Sequence, residues 1–552
     1  MLPLPGPNPE RNLPVTKRHI KSIIVILLLI ITLSVQGCQW FPEPVVEPPE
    51  TVEPAEDSPE PVVVPPVAVS PSAGQFTLRY DSKSTLNPIT GLNRDNLLLS
   101  ALLYESLFVL DGSLNVEPVL CENWSTEDNT TYLFEIKSEI AMSNDTWLTA
   151  DDVVYSLRQA ILRGRFVNRL TNVASVSTDG ELRVKVVLRA PNSRFINLLD
   201  IPIIKSGSIE NRMPPGTGPY VLTDTEGFRL ERFSRYRDYH RLPMSVIYLI
   251  ECRDDELTEL FDDGEISLLL DDPFDAFNIT LNRLPEKRYF ETTTIQFIGF
   301  NAREGVMRDP DVRRAIGCSI DRALIVGEIM SGQAVAAPLP ISPYFKNYDK
   351  AWEHRDLDPL TEMTLLLTRA RMGDFDEDSY LEISDGFGNY SNFTVDFIVN
   401  SENIFKVQAA NVIADTLRQY GFRTNVRELP WDAFLNALKT GNFDMYYGET
   451  TLGADFDLSP LVLPGPLNYG GTASTTYKPF IEYFLSAEQE NEVWHATSLL
   501  LDEVTRNAPF VPILYKRYVM YSQMGAISGA QPGQSNAFRN LTNWTINYTM
   551  LK

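Results

Sequence analysis

The sequence predicts an α/β fold spread over more than one domain, and three observations carry that prediction. From residue 393 onward the apolar pattern reads strand, helix, strand, helix, strand, at 393–399, 405–419, 422–429, 431–439 and 443–447. That order builds an α/β unit on a largely parallel sheet. The chain has 552 residues, of which 43% are hydrophobic. This length sets a prior of two or three domains, and the composition suffices for large cores. Alternating segments at 75–80, 131–137 and 295–301 place further strands well upstream of the α/β unit.

The first element is a leader. Lys17, Arg18, His19 and Lys21 precede an apolar run from Ile23 to Leu33, and small or polar residues then lead to Cys38. A basic flank, a short apolar run and a small residue before the cut mark a secretory signal. The ending Val35-Gln36-Gly37-Cys38 resembles the bacterial lipobox, where a diacylglycerol is attached to the cysteine sulfur and the chain is cut before it. Residues 1–37 are therefore expected to be a lipoprotein signal peptide, with Cys38 the lipidation site and the body held outside the cytoplasm at the cell membrane. A plain membrane anchor competes, although the run falls short of the roughly 20 residues that span a bilayer. Residues 38–74 are dominated by proline and glutamate. Fixed φ angles and mutual repulsion of carboxylates predict a semi-rigid stalk or an extended tail.

In the body, 84–90 is a turn around Pro88, and 97–110 is an apolar helix running into a strand. Residues 148–157 read LTADDVVYSL. Thr149 suits an N-cap, Asp151 and Asp152 fall in the first turn, and Val153, Leu157 and Ala160 share a face. Residues 214–220 read PPGTGPY, a rigid and tightly turned loop. Strands are expected at 221–230 and 246–251, and residues 261–270 read as a helix end, a glycine stop and a buried strand. Residues 309–330 form a helix pair with Asp321-Arg322 between. Gly421 stands where a helix over 405–419 would stop.

Composition removes several function classes. A net charge of −25 argues against nucleic acid, which needs basic surface. Beside Cys38 there are Cys121, Cys252 and Cys318, an odd number, so no disulfide framework is implied. Four histidines make a histidine-rich metal site unexpected. No GxSxG elbow, HExxH or Cys/His cluster is present, so no enzyme is expected.

Several stretches resemble, in order, the family 5 bacterial solute-binding proteins, the oligopeptide and dipeptide receptors of ATP-driven importers. They are Leu86-Asn87-Pro88, LYESL at 103–107, LTADDVVYSL at 148–157, GTGPY at 216–220, RYRDY at 235–239 and IGFN at 298–301. DVRRAI at 311–316, IDR at 320–322, WDAF at 431–434, GNFDM at 441–445 and APFVPI at 508–513 continue the series over residues 75–552. The resemblance implies a bilobal periplasmic-binding-protein-like fold of type II with an extra inserted domain. Lobe I would comprise 75–104, 195–294 and 501–552, the inserted domain 105–194 and lobe II 295–500. The chain would cross between lobes near Thr294 and near Leu500, and the lobes would close on the solute.

The same resemblance implies where the ligand sits. In peptide-binding members an aspartate after the FDM strand pairs with the free amino end, and Asp455 is the position that lines up. A carboxylate in a partly dry cleft binds an ammonium well; the competing role is a turn cap before Pro460. The tryptophan usual before that aspartate is missing, since 448–453 reads GETTLG. Asn468, in LNYGG at 467–471, would offer both donor and acceptor to a peptide backbone. Asn400 and Ser401 end a strand at the edge where open α/β sheets bind ligands, and Tyr446 is either a cleft wall or a core residue. Residues 374–385 carry carboxylates at alternate positions, as calcium loops do. Ser379 stands where such a loop wants glycine and Asp385 where it wants glutamate, so the expectation is a solvated acidic loop and no metal or cofactor. The expected protein is a monomeric, lipid-anchored receptor delivering a peptide or related small solute to an importer's permease. A sensor or other non-transport binding lipoprotein on the same fold is the alternative.

Overall fold

The computed structural model describes residues 74–551, apart from 224–227, 277–278, 355 and 473. The signal peptide, Cys38 and the stalk up to residue 73 lie outside the described residues. Among the described residues no helix is long and apolar enough to cross a membrane.

The largest sheet has seven strands. Across it stand Leu268–Asp271, Phe510–Ser522, Glu286–Phe300, Met445–Thr451, Val395–Asn400 and Thr424–Leu429, with Ala334–Ala336 also paired to Phe510–Ser522. The α/β unit expected after residue 393 is present: Val395–Asn400 pairs in parallel with Thr424–Leu429 on one side and Met445–Thr451 on the other. The helices Ile404–Gln419 and Trp431–Thr440 make the crossovers. The sheet as a whole is mixed rather than largely parallel, because the unit joins antiparallel strands at Glu286–Phe300. Alternation fills both faces. Val395, Phe397 and Val399 enter one apolar cluster and Ile398 enters the other, as a period of two requires.

The first half of the chain has its own layers. Thr77–Arg79, Val246–Ile250, Arg229–Arg232 and Tyr220–Thr223 form a four-stranded sheet. The single strand expected at 221–230 is thus two antiparallel strands. A second four-stranded sheet, Cys121–Thr126, Thr131–Ile136, Arg183–Leu188 and Val173–Thr178, is antiparallel throughout. The helix Ala150–Leu162 shares a core with it through Val153, Leu157 and Ala160. This helix begins as its sequence predicts. The N–H and hydroxyl of Thr149 both donate to Asp152 Oδ2 at 3.0 Å. Asp152 also accepts from Ser206 N at 2.8 Å and pairs with Lys205 at 3.2 Å, so one carboxylate caps a helix and anchors a distant loop. The GTGPY loop is pressed onto the end of the helix Arg94–Leu103. A Cβ at Gly218 would stand 2.3 Å from the carbonyl carbon of Leu103, and its N–H donates to Leu103 O at 3.0 Å.

The lobes are joined by two antiparallel strands. Glu286–Phe300 is 15 residues long and Phe510–Ser522 is 13. Their pairing breaks between Glu291 and Ile295, at Thr292-Thr293-Thr294. Side chains replace the interrupted ladder: Thr292 Oγ1 donates to Lys516 O and Thr293 Oγ1 to Leu452 O, both at 2.7 Å, and Thr293 N donates to Gln534 Oε1 at 2.8 Å. Position 500, expected as the second passage, lies inside the helix Glu490–Asn507. Leu500, Leu501 and Val504 are buried in the same cluster as Phe434 and Phe484, so the chain leaves that core only along Phe510–Ser522.

Candidate solute-binding site

The carboxyl ends of the parallel strands face this break. Glu449, near the end of Met445–Thr451, receives Gln296 Nε2 at 2.8 Å, Lys406 at 3.3 Å and Lys516 at 3.3 Å. Lys516, 1% exposed, also holds Asp272 at 2.5 Å. Burial works against the ammonium, but Glu449 and Asp272 outweigh it and push Lys516 up to about 12. Glu449 is raised by burial yet ends below the ordinary glutamate value through Lys406 and Lys516. At Asp272 burial outweighs the ammonium and the carboxyl rises. A buried ion held on three sides in this way keeps its charge only while its partners stay in place. Alongside, Asn403 Nδ2 donates to Phe274 O at 2.9 Å, and the rings of Phe274 and Phe405 meet edge-on at 5.2 Å. Residues of the first half therefore dock on the start of the helix Ile404–Gln419.

A cavity of about 760 Å³ opens beside this network and is lined by Arg94, Asp272, Asp275, Tyr518 and Gln534 among others. Two of its carboxylates are paired: Glu105 receives both Nη atoms of Arg237 and the Tyr236 hydroxyl, and Glu117 receives Arg539. The cavity's lining residues all fall within 92–275 and 518–542, so none belongs to the α/β unit after residue 393.

The halves meet again at a second place. Asn192 Nδ2 donates to Asp455 Oδ2 at 2.8 Å, and Asn197 Nδ2 to Ala454 O at 3.1 Å. Arg194 donates to the carbonyls of Asp455 and Phe484 and lies 4.0 Å from the centre of the Phe484 ring. Ser193 bonds Leu485 O and Ala487 O, both at 2.7 Å. Burial draws the Arg194 guanidinium down to about 10, against the pull of Asp455 and Asp457. Asp457 is pushed up to about 6, by burial and then by the charge of Asp455. The turn carrying them is strained, since Phe456 has φ +56°. A left-handed non-glycine residue costs about 1–2 kcal/mol, which burial of the Phe456 ring against Phe345 and Tyr515 offsets.

The residues expected from sequence divide into two groups. Asn400, Ser401 and Asp455 lie at the cleft end of the parallel strands. Asn400 Oδ1 accepts from Glu402 N at 3.2 Å, and Ser401 N donates to Leu429 O. Asp455 is 3% exposed; its carboxylate faces Asn192 across the interface and stands outside the 760 Å³ cavity. Of the two places expected for Tyr446 the structure gives the core: it is 7% exposed and packs edge-on against Phe297 and Phe443. Asn468 stands apart from these three. Its segment docks at the far end of the long strand, where Gly470 O accepts from Ala302 N at 2.7 Å, about 20 Å from the triple threonine at roughly 3.3 Å per strand residue. Asp272, Glu449, Lys516, Asn192 and Arg194 were missed. Lys516 left a trace, as the first of two cations, with Arg517, set between FVPILY and YVM, a pattern that fits a buried ion pair. Asn192 and Arg194 left none.

Comparison with known proteins gives a consistent picture. Residues 115–464 match the family model for bacterial extracellular solute-binding proteins, family 5, middle region. The glutathione-binding protein GsiB of Shigella dysenteriae serotype 1 is 24% identical over 473 residues, which cover 79% of this chain and 88% of that protein. Among solved structures, the oligopeptide-binding protein AppA of Bacillus subtilis in complex with a nonapeptide superposes with a TM-score of 0.60 at 19% identity. The match covers 86% of this chain and 98% of AppA. NikZ of Campylobacter jejuni in complex with Ni(L-His) superposes with a TM-score of 0.63 at 16% identity, covering 86% and 100%. The bilobal α/β fold is thus that of solute-binding proteins rather than of enzymes. The family match spans well over half the chain and agrees with the motifs, the fold and the paired lobes. The chain belongs to the bacterial extracellular solute-binding proteins of family 5.

Proposed function

We propose that this protein is the substrate-binding component of an ABC importer and captures a peptide or peptide-like small solute between its lobes. The observation that carries the reading is the pair of contacts between the halves. One is a charge-locked hinge at Lys516, the other a set of neutral or singly charged hydrogen bonds at Asn192–Asp455. Opening the second while keeping the first gives the hinge motion that encloses a ligand. On this reading Asp455 is a closing contact as much as an ammonium partner, and a solute with a free amino end must displace Asn192 to reach it. Asn400 and Ser401 supply polar groups on the opposite wall. The ligands of related proteins, glutathione, a nonapeptide and Ni(L-His), set the range of solutes to try. The lipid on Cys38, monomeric assembly and docking on a permease complete the proposal. A sensor that retained binding and lost transport is the second reading, favoured by the absent tryptophan before Asp455.

The test is thermal melting of the protein with peptides of two to nine residues, glutathione and nickel–histidine, beside native mass spectrometry of gently purified material. A solute at 100 times its Kd stabilises by about 2.7 kcal/mol. Melting unmoved by every candidate, with no co-purified molecule, would overturn the reading. Uptake lost on deletion of the gene separates importer from sensor.

A further inference from the structure

Away from the cleft stands the acidic loop between the strands Met372–Gly373 and Glu382–Ser384. We propose that it is a calcium site formed by Asp374, Asp376 and Glu382. One carboxylate oxygen of each lies within 4.8 Å of the other two. Independent support comes from Glu382, whose relative exposure is 0%. Its Oε2 accepts from Phe375 N at 3.0 Å, while its Oε1 is buried and accepts no hydrogen bond. The ion pair from Arg423 to that oxygen is long, 3.5 Å, and the same Nη2 is engaged at 2.6 Å by Asp378. A buried charged oxygen left without a donor is costly. A cation among the three carboxylates supplies the missing charge.

The ligand chemistry selects the ion. Three carboxylates with no nitrogen or sulfur suit a hard cation. Asp374 and Asp376 are exposed, leaving one side to water. Calcium accepts six to eight oxygens in irregular arrangements, whereas magnesium demands a near-ideal octahedron. The two departures seen in the sequence also have structural answers. Ser379 adopts φ +72°, the conformation for which glycine is usual. Asp385 accepts from Phe387 N and from both nitrogens of Asn389, so it closes the next turn, and Glu382 supplies the last carboxylate. The loop is tied to the α/β unit: Leu381 N donates to Gly421 O at 2.8 Å, just past the helix Ile404–Gln419. Calcium here would brace the far end of the helix whose start carries Asn403 and Lys406 at the cleft.

The experiment is calorimetric titration of the EDTA-stripped full chain with calcium chloride, paired with thermal melting. The expected result is one site with Kd between about 10⁻⁵ and 10⁻³ M, from the weak end of sensor sites to that of extracellular modules, and a melting temperature that rises with calcium. Glu382→Gln should weaken binding at least about tenfold by removing ligand charge, while Asp385→Asn should leave it unchanged. The assignment is overturned if the parent protein shows neither heat nor a melting shift up to about 10 mM calcium, well above that range. It is also overturned if magnesium produces the same shift, or if a folded Glu382→Gln protein binds as the parent does.

Discussion

The hinge and the Asn192–Asp455 contact both join the two halves of the molecule, yet they are built from different chemistry. At the hinge a fully buried lysine stands between carboxylates from either side, backed by Lys406, Gln296 and the triple threonine. At the second contact an amide meets the Asp455 carboxylate, a second amide meets a carbonyl, and one arginine donates to carbonyls and stacks on a ring. Separating a buried ion pair leaves an uncompensated charge, whereas separating amides returns them to water at little net cost. The difference supports the proposed reading, in which the first contact persists while the second opens.

The largest expected effect breaks the hinge. Lys516→Met leaves Asp272 and Glu449 without their shared cation and should cost about 3–5 kcal/mol of unfolding free energy, read by chemical denaturation. A loss below about 1 kcal/mol, the scale of an exposed pair, would show that the site is not a charge lock. A smaller effect is expected at the other contact. Asn192→Ala removes the donor facing Asp455 and should disfavour the closed state by about 1–3 kcal/mol, seen as a larger radius of gyration in solution scattering. Unchanged scattering would make the contact incidental. The smallest effect is pH-dependent. Asp457 is raised to about 6, so its folded carboxyl holds a proton that the unfolded chain releases near pH 4. Below that pH both states are protonated and the group adds nothing. Stability falls as pH rises from about 4 through 6, and the cost is constant above. Asp271, also raised to about 6 by burial, titrates in the same window. Asp457→Asn should therefore flatten only part of the pH profile of the melting temperature, and a profile identical to the parent's would remove Asp457 from the account.

Local features of the sequence proved reliable where one segment settles its own structure. The capped helix at Thr149, the glycine stop at Gly421 and the strand–helix alternation after residue 393 all formed as expected, because each is decided by neighbours within a turn or a strand. The GTGPY loop needed its glycines for a reason not visible locally, the backbone of Leu103 against it. The site was half legible. Asp455, Asn400 and Ser401 follow strand ends, which periodicity locates. Tyr446 and Asn468 were less legible, because the side of a strand and the end of a sheet depend on which strands pair. Two features of the acidic loop that bear on the proposed calcium site, the φ of Ser379 and the burial of Glu382, cannot be read from residue types.

What the sequence determined by itself is therefore the family, the α/β character of the second lobe and the ends of most elements, because these rest on short-range periodicity and turn chemistry. What only the tertiary structure decided is the set of long-range pairs: Lys516 with Asp272, 244 residues apart, and Asn192 with Asp455, 263 apart. Such pairs leave no periodic mark on either partner. They exist because packing two lobes takes particular polar groups out of water, and each buried group must then find its partner wherever the fold has placed it.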